Sequence, residues 1–277
     1  MVPFARGLAS LCGSLTIVAA LAAPAGASGI VPPRQPSANL TAQPAFNIVA
    51  NQMYSTNSTL PPCWKWHDGQ LVINPQTPAC TAAEVAAINR AHRLEHIAPI
   101  VLPRNFSVLN ANEQSLVLVD LERVSRGEVP VVGLSAAADA IAQGAAKHNQ
   151  DPYLASAHAV PGATGSWTAN WAAAANTLDA DYSWMYLDGW AGKGHTTNFA
   201  CTSAHAQGCW GHRNDILVNA STMKCYVSQC NLIMGAGVVA HNWSIYNSYT
   251  ELLVQVAGPP PHLVYTWRQA VAAGARA

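Results

Sequence analysis

The chain has 277 residues, with Lys+Arg 14 balanced by Asp+Glu 14 and only 10% charged residues. That balance argues against a nucleic-acid binder, which needs a basic patch, and against strong attraction to anionic lipid. Hydrophobic residues make up 50% of the chain, enough for one sizeable core.

The N-terminus carries Arg6 and then an apolar run from Leu8 to Ala23, the size of a signal h-region. Ala25-Gly26-Ala27 reads as the cleavage site, so the mature chain is expected to start at Ser28. The competing reading is a membrane anchor, but the run is short for a span and ends in small residues. No other stretch reaches about 18 apolar residues, so no transmembrane segment is expected after cleavage. The expected location is secreted and extracellular.

Residues 28–44, rich in Pro, Ser, Ala and Gln, read as a flexible linker. Seven cysteines less Cys12, lost with the signal, leave six: Cys63, Cys80, Cys201, Cys209, Cys225 and Cys230. An even set in an exported chain points to disulfides. Sequence proximity favours 63–80, 201–209 and 225–230, against a zinc reading of Cys225 and Cys230 with a nearby histidine. Between Cys63 and Cys80, Trp64, Trp66, the turn Asp68-Gly69 and Leu71 to Asn74 predict a stapled hairpin. Its tryptophans are either a ligand platform or the packing face of the hairpin.

Thr81-Ala-Ala-Glu84 is a capping box, predicting a helix through about His96. Asn110 to Glu113 is a similar start, leading into a helix that Gly127 stops. Ser135 is expected to cap a helix over Ala136 to Lys147, and another helix is expected from about Thr177 to Tyr186. Leu232 to Val239, broken by glycines, and Glu251 to Ala257 read as strands, with Asn242 to Tyr249 joining them as a loop. Gly258-Pro-Pro-Pro261 closes this region, and Leu263 to Trp267 is a further strand candidate.

Leu121-Glu122-Arg123-Val-Ser-Arg126-Gly127, followed by Pro130 and Gly133-Leu134, resembles the first-helix signature of the CAP superfamily, the cysteine-rich secretory, antigen 5 and pathogenesis-related proteins. Trp184, then Gly211-His212-Arg213 to Leu217, then Met234-Gly-Ala-Gly237 resembles its bacterial branch. The resemblance covers roughly Asn112 to Ala257. It implies an α+β fold, an α-β-α sandwich with a small central antiparallel sheet flanked by helices and a cleft on one side. The resulting division is a signal over 1–27, a linker over 28–44, an N-terminal extension over 45–111, the CAP-like domain over 112–257 and a Pro-rich tail over 258–277.

The resemblance also implies two histidines and two acids in the cleft, able to take a divalent cation. His212 matches the second histidine. The first acid falls on Ala169, in the stretch Thr168 to Ala172 that holds Asn170 and Trp171. The second falls on Leu187, with Asp188 next to it. The first histidine falls near Thr164, and His158 lies further upstream. With the set eroded, no cofactor is expected, and at most weak divalent-cation binding. An alternative metal set is His195, His205 and His212 around the Cys201–Cys209 loop, unless the first two are solvated loop residues. For His212 itself, a ligand contact and a backbone-bonded buried role both remain open. The cleft candidates are therefore His212, Asp188, Asn170, Trp171 and His158.

No other chemistry has a motif. Glu95-His96 lacks the second histidine of a zinc-protease helix. Gly165-Ser166-Trp167 lacks the strand that leads into a nucleophile elbow. Asp179 and Asp181 point to different helix faces, and Asp181 and Asp188, though at a helix-compatible spacing, read as solvated helix-end aspartates. The expected function is a non-enzymatic binding module for a small apolar or cell-envelope ligand near His212. The alternatives are a hydrolase of envelope polymers or peptides and a structural or antigenic surface protein.

Overall fold

Strands β1 (Trp64–His67) and β2 (Gln70–Ile73) pair antiparallel around Asp68 and Gly69, both with positive φ. The computed structural model describes residues 63–193, 198–218, 230–243 and 246–277. The expected signal, the linker, His195 and Cys225 lie outside the described residues, as do the side chains of Trp64 and Trp66. Cys63 is bonded to Cys80 and Cys201 to Cys209, as their spacing suggests. Cys230 is also disulfide-bonded.

Helix α1 (Pro78–Leu94) begins before the expected Thr81 box. Thr77 accepts the Cys80 N–H at 3.0 Å, and a proline opens the first turn. The Asn110 box forms fully: Asn110 Oδ1 accepts the Glu113 N–H, and Glu113 accepts the Asn110 N–H, both at 3.0 Å. It starts α2 (Ala111–Ser125). Short β3 (Gly133–Ser135) leads into α3 (Ala136–Lys147), where Ser135 sits at the N-cap but makes no capping bond through its side chain.

Strand β4 (Ala163–Ala174) is not legible in the sequence, because its alanines blur the polar–apolar alternation. It is followed by α4 (Thr177–Tyr186) and the short α5 (Gly211–Ile216). Strands β5 (Cys230–Trp243) and β6 (Tyr246–Ala257) run longer than expected. They stay paired as far as Trp243 and Tyr246, so the expected Asn242–Tyr249 loop is mostly strand. Ladder bonds satisfy backbone groups that a loop would leave to water. After the prolines, β7 (Leu263–Thr266) pairs with β3, and α6 (Trp267–Ala272), which was not expected, follows with its own capping box.

The five-stranded sheet has the order β4-β6-β5-β3-β7, antiparallel except for the β5–β3 pair. Alternation sorts its side chains to two layers. Ala172, Leu232, Met234, Tyr249 and Leu253 join a core with α1, α2 and α4. Ile233, Leu252, Val254 and Val256 pack instead against Ala138 and Ala142 of α3. The result is the expected α+β sandwich, with helices on both faces of the sheet. Gly235 and Gly237 allow α3 to lie directly on β5. A Cβ on Gly235 would fall 2.1 Å from the Ala138 carbonyl carbon, and one on Gly237 would fall 2.5 Å from the Gln143 nitrogen. Among the described residues, no helix is long and apolar enough to cross a membrane.

Candidate functional site

A six-residue helix such as α5 does not hold its shape alone, and several elements pin it. Arg123 of α2, fully buried, donates to the carbonyls of Ile216 at 2.5 Å and Val218 at 2.7 Å. Thr168 of β4 donates to the Asp215 carbonyl at 3.0 Å, and Asn170 Nδ2 donates to the His212 carbonyl at 3.1 Å. The Arg213 guanidinium forms an ion pair with Glu95, with nitrogens 2.8 and 2.9 Å from its two carboxylate oxygens. Leu121-Glu122-Arg123 is thus buried scaffold. Glu122 meets His92 at 3.1 Å, Arg126 and the Tyr186 hydroxyl.

Pinned this way, α5 presents His212. Nδ1 of its ring lies 2.6 Å from Oδ1 of Asp188, just past the end of α4. Asn198 Nδ2 also donates to that oxygen at 2.6 Å, and the Arg213 N–H donates to Oδ2 at 3.2 Å. The Trp210 N–H donates to the Asp188 carbonyl at 3.0 Å, with Trp210 in the left-handed region at φ 64°. Asp188 is therefore a fixed acceptor. It keeps the neutral ring's proton on Nδ1 and leaves Nε2 as the free acceptor. Burial alone would lower the pKa of His212, but the hydrogen bond and charge of Asp188, with the charges of Asp151 and Asp215, outweigh it and raise the pKa. Burial raises Asp215 to about 7, against the attraction of His212. Burial likewise raises Glu251 to about 8, against the 2.7 Å bond from Asn170.

The pair faces a cavity of about 520 Å³. Trp171 forms one wall, tied by Nε1 to Ser248 Oγ at 2.8 Å and set edge-on to Trp243 at 5.3 Å. Trp184 and Leu187 line it from α4 and its end, and Phe199 lines it from the Cys201–Cys209 side. Asp179, on the first turn of α4, and Asp151, after α3, add carboxyls to the wall.

The structure joins His212 and Asp188 and makes Trp171 a wall. Asn170 sits behind the site, fully buried, and supports the backbone of His212. His158 is exposed on a short 3-10 turn (Ala157–Ala159) and does not line the cavity. Upstream of β4, Asp151 lines it instead. His205 is exposed and also off the cavity. Ala169 packs toward the α3 layer, facing away from His212's side. Leu187 is buried at the helix end while Asp188 turns to the ring, so the acid sits one position later than the resemblance implies.

Asp181 and Asp188 are 2% and 1% exposed, so reading them as solvated helix-end aspartates is corrected, and Asp179 is buried as well, at 4%. Asp179 turns to the cavity and Asp181 to the buried side near Glu122. Sequence reasoning missed Asp151, Asp179, Asn198, Asp215 and Glu251. Only Glu251 leaves a trace, as an acid opening the apolar run Leu252-Leu253-Val254.

The donor set does not fit the divalent cation that the resemblance implies. Three of the four positions that the resemblance matches hold alanine, leucine and threonine, and His212 Nδ1 is committed to Asp188. A zinc site takes three or four protein ligands. Among the described residues, the only close group of three donors is Cys63, Cys80 and Glu84, whose sulfurs are bonded to each other. No protein-family model, curated protein or solved structure matches the chain.

Proposed function

We propose that the protein is a secreted CAP-like binding module that holds a cell-envelope component in the cavity at His212 and Asp188. The carrying observation is the cavity itself. It has about 520 Å³ of space, aromatic walls and an oriented His–Asp pair on its floor, within the usual range of roughly 300–1,000 Å³ for ligand sites. The order of the sequence motifs supports the family reading, and the disulfides fit an oxidising, extracellular compartment. The carboxyls in the wall favour a ligand with polar groups over a wholly apolar one, because such a ligand would leave them dry and unpaired.

One observation favours the hydrolase reading. The free Nε2 of an Asp-oriented histidine is placed to take a proton from water. Among the described residues, no serine, threonine or cysteine side chain is hydrogen-bonded to that ring, so covalent catalysis has no nucleophile in place. The test is native mass spectrometry of the protein purified from its own host envelope. A bound component that is released intact from the wild type and absent from His212→Ala supports binding. Turnover of that component, lost in His212→Ala, replaces binding with hydrolysis. No bound component in either form overturns the cleft reading.

A further inference from the structure

We infer, building on the cleft-binding reading, that the cavity takes an uncharged saccharide chain. Its walls combine the two groups that sugars need. Trp171 and Trp243 line the cavity and supply aromatic surface for the C–H side of a pyranose ring. Asp179 and Asp151 present carboxyl oxygens for hydroxyls, bonds that become charge-assisted where the carboxyl is ionised. Asp179 is the most pointed of these. It is 4% exposed, and Oδ2 takes the Ala175 N–H at 2.9 Å, which leaves Oδ1 for a ligand. Asp188 is already committed to His212, Asn198 and Arg213, so it orients the floor and does not bind the ligand itself.

Charge narrows the class further. Three carboxyls, Asp151, Asp179 and Asp188, line the cavity against a single basic side chain, His212. Above about pH 7, where the buried Asp179 carboxyl is ionised, an anionic ligand such as a fatty acid or a uronic-acid chain meets net repulsion. An acyl chain, which has no hydroxyl along its length, would bury Asp179 Oδ1 unpaired. The aromatic surface also continues out of the cavity. Phe199 and Trp243 line it and are 79% and 44% exposed. That continuity suits a polymer that enters by one end better than a single free sugar.

The test uses the purified full mature chain, calorimetry and tryptophan emission. The probes are chitotetraose, cellotetraose and xylotetraose, with tetragalacturonate and palmitate as contrasts. At least one uncharged tetrasaccharide should bind and change the emission. Asp179→Asn and the exposed-site variant Trp243→Ala should each weaken it by about ten-fold or more. Tetragalacturonate should bind more weakly than the best uncharged sugar.

Palmitate binding with no saccharide binding overturns the sugar class and leaves the cleft reading standing. No probe binding at all overturns the sugar class, while the cleft reading is then judged by the component found in native mass spectra. Saccharide binding that neither variant weakens places the sugar elsewhere and overturns the proposal. Equal binding of tetragalacturonate overturns the charge argument on which the class rests.

Discussion

Nδ1 of His212 lies 2.6 Å from Oδ1 of Asp188, with 26% of the histidine side chain exposed against 1% for the aspartate. An ionised carboxylate held by Asn198 and the Arg213 backbone favours the protonated ring. His212 should therefore titrate above the ordinary value of about 6.5. Asp188→Asn removes the largest opposing influence and leaves burial against the weaker charges of Asp151 and Asp215, so the titration should then move down from the wild-type value. Ring C–H resonances followed across pH measure both. Because the folded pKa is raised, the stability that the pair contributes is fully present below about pH 6.5. It is lost as pH rises through the higher folded value. A wild-type midpoint below about 6.5 would sink this account.

Burial raises Glu84 and Glu251 to about 8 and Asp179 and Asp215 to about 7. These groups hold protons in the folded state that the unfolded chain releases above about pH 4. Their contribution is fully present below about pH 4 and is lost as pH rises through 7 to 8. Glu122 is pushed the other way, to about 2, by Arg126 and His92 against its burial, and matters only in strong acid. The melting temperature should be lower at about pH 8.5 than at about pH 5.5. Glu251→Gln should flatten that slope. A melting temperature that climbs over this interval contradicts the prediction.

The Arg213 guanidinium reaches neither Asp215 nor Asp188, the two carboxylates that the sequence offers it as partners. It pairs with Glu95 and donates to the Met185 carbonyl at 2.8 Å. Its side chain is 2% exposed. Arg213→Ala leaves Glu95 beside Arg126 alone and should cost about 3–5 kcal/mol in urea unfolding. A loss under about 1 kcal/mol would mean that water replaces the pair readily.

Ile216 is fully buried four residues after His212. Ile216→Ala should cost about 2–5 kcal/mol through a core cavity. His212→Ala, at a partly exposed site, should cost about 1 kcal/mol. If denaturant midpoints reverse that order, His212 serves the core before it serves the cavity.

Gly235→Ala places a Cβ against the backbone of α3 at Ala138. Overpacking of this kind costs about 1–3 kcal/mol, and here no flexible side chain can move aside. A neutral thermal melt for this variant would mean that α3 does not rest directly on β5.

The sequence by itself determined the features that nearest neighbours decide. The Asn110–Glu113 box, the Thr177–Tyr186 helix, the stapled hairpin and the Cys201–Cys209 loop form within one turn or one short loop. The α+β class was what the resemblance carried by the ordered motifs implied. Only the tertiary structure decided which side chains meet across long separations. Asp188 reaches His212 across 24 residues, Arg213 reaches Glu95 across 118, and Asn170 reaches Glu251 across 81. In each case the partner is chosen by how α4, α5 and the sheet stack, and no local period records that choice. Strand β4 escaped for the same reason. Its alanines carry little pattern of their own, and it becomes a strand because β6 offers a ladder along most of its length.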